Sequence, residues 1–326
     1  LEMDKDTGPR TACLVGSALN GTDAFRVAMD NYINKGPFKV SPYLLPNLCA
    51  NLPSGKAGMA LKFSGPVFSP QGACASGNYA FGLGARMIRD GDCDFVLAGG
   101  VDTCLIPEII HGFENMNATI KILPEDRAYD NPDLASRPFS IDRKGFVLSE
   151  GAGVLVLAAE EMLSVYGLKP KAEVLGVGWS SDAYHFTRPN PDTVTRAIRE
   201  AIDDAGLSPE DIQYVNTHGT STPRGDTAEV DCLRRVFQGH LEKMPISSNK
   251  SQIGHTLGAA AAIEGALSIE AMRQGVVLPT INHIPDPAFD GVDVVPNKTR
   301  KMRHDIFLSN AFGFGGTNCC VVFRGC

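Results

Sequence analysis

A layered α/β fold is what this sequence predicts, and three observations predict it. Short apolar runs alternate with helical stretches along the whole chain, the order expected of helices packed on a mostly parallel core sheet. Glycine (34) is plentiful and aromatics make up only 7%, which suits close approach of helix to sheet. With 326 residues and 43% apolar content, the chain can bury a large core as one big domain or two fused halves.

Taken in order, Ala12–Gly16 reads as a buried strand and Asp23–Asn34 as a helix. Leu48–Leu61 is helix-like, and Val67–Ser69 reads as a strand leading to Cys74. Small and apolar residues then recur with helical period through Arg89, and Asp94–Gly99 is a strand ending in Gly-Gly. Residues 118–137, rich in Asn, Asp and Pro, predict an excursion loop. Gly151–Ala159 resumes strand character and runs on into a helix. In the second half, Lys171–Trp179 predicts a strand, Pro191–Gly206 a helix, Tyr214–Asn216 a strand and Asp226–Phe237 a helix. Ile246–Ser248 is a short strand before Lys250, and an alanine-rich helix is expected over Leu257–Gln274. Ile306–Asn310 and Asn318–Phe323 close the chain as a hairpin-like pair. The expected halves are 1–155 and 156–326.

Composition excludes several classes. A net charge of −7 without a basic block argues against nucleic acid. No apolar run approaches the ~20 residues that span a bilayer. Leu1–Gly8 lacks the basic and apolar regions of a signal peptide, and the absence of Met at position 1 suggests a processed or incomplete N-terminus. Nine scattered cysteines show no CxxC pair or zinc spacing, so free thiols in a reducing compartment, and no metal site, are expected. Cys319-Cys320 reads as strand filler.

The chemistry concentrates in three glycine-flanked segments: Gly72–Gly77 around Cys74, Asn216–Thr222 around His218, and Asn249–His255 carrying Lys250 and His255. A thiol with two distant histidines suits acyl-thioester chemistry, the sulfur holding an acyl group while imidazoles manage charge on a second substrate. Cys74 between an extended segment and a helix sits where N–H donors and a positive dipole end stabilise a thiolate and later an oxyanion; the alternative is a buried structural cysteine. His218 ends a strand, where α/β proteins present catalytic groups, although loop support explains it equally well alone. Next to a helix start, His255 is expected to be neutral and to donate from Nε2 to a developing enolate oxygen. Lys250 is either a surface lysine or, after the strand Pro245–Ser248, a buried one. Glu264, flanked by Ala and Gly in the next helix, must be paired, with Lys250 as a candidate partner. Phe312–Asn318 lacks the features of a phosphate loop and reads as a flexible turn carrying one bulky side chain, Phe314. His111, His240, His283 and His304 have no supporting context and read as surface or structural residues.

These segments, together with Arg137-Pro138-Phe139, Gly145-Phe146-Val147, Glu150–Gly153, Asp182–His185, Gly225-Asp226, Gly258–Ala260 and Asn310–Asn318, closely resemble the elongating β-ketoacyl-acyl carrier protein synthases, from about Thr11 to Phe323. The resemblance implies a thiolase-like fold, two related halves in a five-layer α-β-α-β-α arrangement, and a homodimer. It implies that Cys74 takes an acyl chain from acyl carrier protein, with the backbone N–H groups of Cys74 and Phe314 as oxyanion hole. His218 and His255 then promote decarboxylation of malonyl-carrier protein, and Lys250 tunes the histidine pair. Thr220 and Thr222 match positions that contact the phosphopantetheine arm or malonyl group. Phe314 matches a gatekeeper flanked by Gly315 and Gly316, and Asp182, His185 and Thr187 match the mobile loop facing it. No separate cofactor is implied. The location implied is cytoplasmic, or a plastid or mitochondrial matrix after removal of a transit peptide.

Departures accompany the match. The strand and helices that open the family have no counterpart before Thr11, so an incomplete first sheet, or an edge supplied by a partner, is expected. Ser140 and Lys144 stand where acidic residues are typical, and 118–127 looks longer than usual. A polyketide-type ketosynthase and a non-catalytic chain-length partner of the same fold are the alternatives. Thiolase fits less well, because it pairs a histidine with a second catalytic cysteine.

Overall fold

The computed structural model describes residues 7–326. The chain opens with strand β1 (Thr11–Gly16), followed by helices α1 (Thr22–Lys35), α2 (Leu44–Leu48) and α3 (Leu52–Leu61). Helix α4 (Ser76–Arg89), strand β2 (Phe95–Asp102), helix α5 (Pro107–Asn115), strand β3 (Gly151–Ala158) and helix α6 (Glu160–Tyr166) complete the first half. The second half runs β4 (Ala172–Ser181), α7 (Pro191–Asp204), β5 (Tyr214–Asn216), α8 (Pro223–Phe237), β6 (Ile246–Ser247), α9 (Lys250–Ile253) and α10 (Ala260–Arg273). Two short strands, β7 (Val276–Val277) and β8 (Arg300–Lys301), precede the final hairpin of β9 (Ile306–Gly313) and β10 (Thr317–Gly325).

The first sheet has the order β1-β2-β3 and the second β4-β10-β9-β5-β6. Both are mixed rather than mostly parallel. β1–β2, β5–β6 and β5–β9 run parallel, whereas β2–β3, β4–β10 and β9–β10 are antiparallel. Helices α4 and α10 lie between the sheets: each packs on β2 and β3 to one side and on β9 and β10 to the other. α3 covers β1 from outside, and α7 with α8 covers the second sheet, which completes five layers. Burial of Leu14, Phe81, Val96, Val177, Phe307 and Phe323 fills the middle, and Val194, Ile198, Leu233, Leu308 and Val322 fill the space under α7 and α8. Each such side chain removed from water contributes about 1.5–3 kcal/mol.

Three further expectations change. The strand at Val67–Ser69 reduces to a single bridge, Cys13 to Val67, because only Pro66 and Phe68 meet the β1 backbone. The first sheet is the narrower, as expected, with three strands against five; β1 lies at its edge and pairs with β2 from Thr11–Phe95 to Gly16–Gly100. The helix expected from Leu257 begins at Ala260, since Leu257 takes a left-handed φ of 49° and residues 257–259 form a 3-10 turn. Helix α5 was not foreseen. Its opening Pro107 is a good first-turn residue. Residues 118–137 form the expected excursion, apart from a short 3-10 turn at Pro132–Leu134.

Candidate active site

Cys74 precedes α4 by two residues and follows Ala73, whose left-handed φ of 48° turns the chain sharply inward. Strain of this kind concentrates at functional sites. The Gly313 turn presses on the same segment: a Cβ at Gly313 would lie 2.3 Å from the Gly72 carbonyl, and Thr317 Oγ1 donates to that carbonyl at 2.8 Å. As a result the backbone N–H groups of Phe314 and Cys74 both reach the Cys74 sulfur. Around it lie Cys104, Leu257, Ala18, Leu19, Ile109, Phe113 and Leu148, an apolar wall. The expectation of a stabilised thiolate is corrected here. Burial pushes the Cys74 thiol up to about 12, ahead of the opposing pull of Lys250; nearby Asp102 adds to the rise, and the two N–H groups offset it only in part. At rest the sulfur is protonated.

His218 ends β5. Its backbone is held by Glu229 of α8, which accepts from His218 N and Gly219 N at 2.8 Å each and from Asn310 Nδ2 at 3.1 Å. Burial raises this carboxyl to about 7. His255 is fixed by main chain: its N–H donates to Val147 O at 2.7 Å and its carbonyl accepts from Ser149 N at 3.0 Å. The two imidazoles meet edge to face with ring centroids 5.5 Å apart. Both are held well below the usual histidine range, by burial first and then by the Lys250 charge, so both are neutral. Lys250 is itself buried, and its Nζ donates to Glu264 Oε1 at 2.6 Å. Asn216 Nδ2 reaches the other Glu264 oxygen at 3.4 Å.

Phe314 borders the site at the surface. An aromatic chain runs from it through Phe113 (6.4 Å) and Phe146 (5.3 Å) to His255 (5.2 Å). Gly315 N donates to Phe186 O and Asp182 N to Gly316 O, so this turn and the 182–190 loop are tied together. The carboxylate of Asp182 is already occupied by Thr193 Oγ1, Asn318 Nδ2 and Asn190 N, at 2.5, 2.7 and 3.1 Å. It anchors the loop rather than facing a ligand. His185 bonds Thr187 and stacks on Phe186. Thr220 and Thr222 share a hydroxyl–hydroxyl bond of 3.0 Å, and Thr222 caps α8.

Charge near residue 140 is balanced within the long loop. Asp126 accepts from buried Arg137 at 2.6 and 2.9 Å and pairs with Lys144 at 2.9 Å, which holds its carboxyl far below the usual range. Cys319 and Cys320 are free, buried strand residues. His304 is buried against Tyr214, and His111 is exposed beside Glu114. Among the described residues no group of His, Cys, Asp and Glu is arranged to hold a metal. None of their helices is long and apolar enough to cross a membrane.

Sequence analysis missed Glu229 and Asp102. The signal for Glu229 was there: Asp226, Glu229, Val230, Leu233 and Phe237 share one face of α8, so a carboxylate lies on a stripe that must be buried.

Profiles described as β-ketoacyl synthase N-terminal and C-terminal domains match residues 1–162 and 171–283. A 3-oxoacyl-[acyl-carrier-protein] synthase 2 of Coxiella burnetii is 39% identical over 325 residues, 99% of this chain and 77% of the relative. One from Staphylococcus aureus is 36% identical over 327 residues, with the same coverage. Among solved structures, a β-ketoacyl synthase from Burkholderia phymatum superposes with a TM-score of 0.91 at 34% identity, covering 99% of this chain and 77% of that one. A type II PKS acyl-carrier protein complex with its ketosynthase bound to the hexaketide gives 0.92 at 30% identity, covering 98% and 79%. With two domain profiles that together span most of the chain, and relatives well above 30% identity along nearly all of it, the chain belongs to the β-ketoacyl synthase family.

Proposed function

We propose that the protein is an elongating condensing enzyme, a 3-oxoacyl-[acyl-carrier-protein] synthase acting in fatty acid elongation, with Cys74, His218, His255 and Lys250 as its catalytic set. The observation that carries this reading is the pair of neutral imidazoles, 5.5 Å apart, on the same buried Lys250 that draws on the Cys74 thiol.

The first stage exchanges one thioester for another. Cys74 Sγ attacks the acyl carbonyl, the oxyanion is held by the N–H groups of Cys74 and Phe314, and the carrier's phosphopantetheine leaves as a thiol with the proton that Cys74 gave up. A thiol replaces a thiol, so the high resting pKa of Cys74 brings no net proton cost. In the second stage the C–C bond to the malonyl carboxylate breaks, CO2 leaves, and its electron pair becomes an enolate. The enolate oxygen accepts from the two imidazoles. Among the described residues His255 Nδ1 has no hydrogen-bond partner, and a buried lone pair is tolerated better than a buried N–H. That favours the Nε2–H tautomer, which can donate to the enolate. The enolate carbon then attacks the Cys74 thioester, giving the 3-ketoacyl-carrier product and returning Cys74 as a thiol with one proton taken up.

The Lys250 charge, anchored by Glu264, adds to burial in keeping both histidines unprotonated and so able to act as donors. Thr220 and Thr222 line the approach of the pantetheine arm, and Phe314 with Gly315 and Gly316 gates it against His185 and Thr187. The substrates arrive on acyl carrier protein, no separate cofactor takes part, and the working form is a homodimer.

Incubation with an acyl-carrier thioester, followed by intact mass and peptide mapping, is expected to show one acyl adduct on Cys74. A well-folded protein without that adduct favours a non-catalytic chain-length partner. His255→Ala is expected to acylate normally and to fail in decarboxylation. The likeness to a ketosynthase bound to a hexaketide keeps a polyketide role open. Repeated malonyl extension without reduction, yielding poly-β-keto chains, would identify it.

A further inference from the structure

We propose that Asp102 is a positioning residue of this site, whose carboxylate holds together the two backbone segments that wall the Cys74 thiol, at Ser17–Leu19 and at Gly258. The inference deepens the reading above and takes from it that Cys74 carries an acyl chain and works with His255.

Asp102 ends β2 and is 2% exposed, yet all its partners are neutral donors. Ser17 Oγ and Leu19 N donate to Oδ1 at 2.7 and 3.0 Å, and Ala18 N and Gly258 N donate to Oδ2 at 2.9 and 2.7 Å. A carboxylate buried this completely is tolerated when hydrogen bonds replace its water. The donors come from two places distant in sequence. Cys74, Cys104 and Leu257 form one buried apolar cluster, and Ala18 and Leu19 pack against it. The walls meet around the carboxylate: a Cβ at Gly258 would lie 2.6 Å from Ala18 N and 2.7 Å from Asp102 Oδ2. Gly258 is three residues past His255, and Leu257 between them takes a left-handed φ of 49°. Four donors converge on two oxygens that can only accept. An amide in the same place would aim its NH2 at one of those donors, so one wall would lose its anchor.

Asp102 also brings a negative charge to the thiol. The titratable groups facing Cys74 are Lys250, which favours its ionisation, and Asp102, which opposes it; Cys104 lies next to both Cys74 and Asp102. Burial sets the thiol high, and the Asp102 charge adds to that rise.

Asp102→Asn tests this through two measurements, the rate of Cys74 alkylation by iodoacetamide, assigned by peptide mass, and the range of acyl lengths that Cys74 accepts. Peptide assignment is needed because Cys49 and Cys326 are exposed thiols. The expected result is alkylation severalfold faster at pH 8, because the charge that opposes the thiolate is gone, with a changed acyl-length profile. Asp102→Glu, which keeps the charge, is expected to alkylate at the wild-type rate while still changing the acyl profile. If Asp102→Asn does not fold, Ser17→Ala removes one donor and keeps the charge; a shifted acyl profile at unchanged alkylation rate is then expected. A folded Asp102→Asn with both wild-type alkylation and a wild-type acyl profile overturns the proposal, as does an unchanged acyl profile in Ser17→Ala. Alkylation needs no condensing activity. A wild-type protein that alkylates at Cys74 but never takes an acyl group would sink the functional reading alone.

Discussion

The two sides of the site are built from opposite materials. Around Cys74, supplied by the first sheet and its loops, the lining is apolar: Leu257, Ala18, Leu19, Ile109, Phe113 and Leu148. Around the histidines, supplied by the second sheet, the buried groups are polar: Asn216, Glu229, Asn249, Lys250, Glu264, Ser309 and Asn310. An acyl chain finds its solvent on one side, and a charge-developing enolate finds preorganised donors on the other. The difference explains why burial raises the thiol and lowers the imidazoles at the same time. It suppresses charge on both in the resting site.

The polar side is where a single change should cost most. Glu264→Gln leaves the buried Lys250 ammonium without its anion, and loss of one partner of a buried pair costs about 3–5 kcal/mol. Chemical denaturation is expected to show that loss. A loss below about 1 kcal/mol, the range of exposed pairs, would mean that the polar side is not the sealed interior described here.

Glu229→Gln is the next largest. The carboxyl has a raised pKa of about 7 in the fold, against 4.5 as its ordinary value. The folded state therefore holds the proton more tightly than the unfolded chain. Its contribution is fully present below pH 4.5 and is lost as pH rises toward 7, by about 3 kcal/mol at 1.36 kcal/mol per unit. The wild-type-minus-variant stability difference should decline across that window and level off above it. A flat difference would contradict a buried, protonatable Glu229.

The apolar side should respond less and differently. Ile109→Phe overfills the wall beside Cys74, at about 1–3 kcal/mol, and is expected to shift acyl acceptance toward shorter chains while decarboxylation continues. Equal acceptance of all lengths would detach Ile109 from the acyl path. The smallest effect is an expected absence of one. Because both imidazoles titrate well below 6.5, malonyl decarboxylation should stay level as pH falls through that value. A loss of rate centred at 6.5 would mean that they are solvent-accessible.

How much of this could be read from the chain depends on range. Segments whose own pattern fixes them were legible: the glycine-flanked loops of Cys74, His218 and His255, strand β5, and the β9–β10 hairpin. Glu264 was legible as a carboxylate in need of a partner, because an Ala/Gly helix offers no water. Asp102 was not, since its partners come from residues 17–19 and from residue 258, and no local spacing announces that meeting. The ionisation state of Cys74 was misjudged for a related reason. A helix N-terminus is visible in sequence, whereas the depth of burial that outweighs it is a property of the packed fold. The mixed sheets were obscured too, because β3, β4 and β10 have the same apolar character whichever way they run.

The central claim is that one thiol and two imidazoles serve a single reaction. It is tested most directly by acylating Cys74, removing free acyl donor, adding malonyl-carrier protein, and following CO2 and the Cys74 adduct together. One CO2 and one 3-ketoacyl product are expected for each adduct lost. Release of CO2 while the Cys74 adduct persists, or loss of the adduct to water without product, would contradict it.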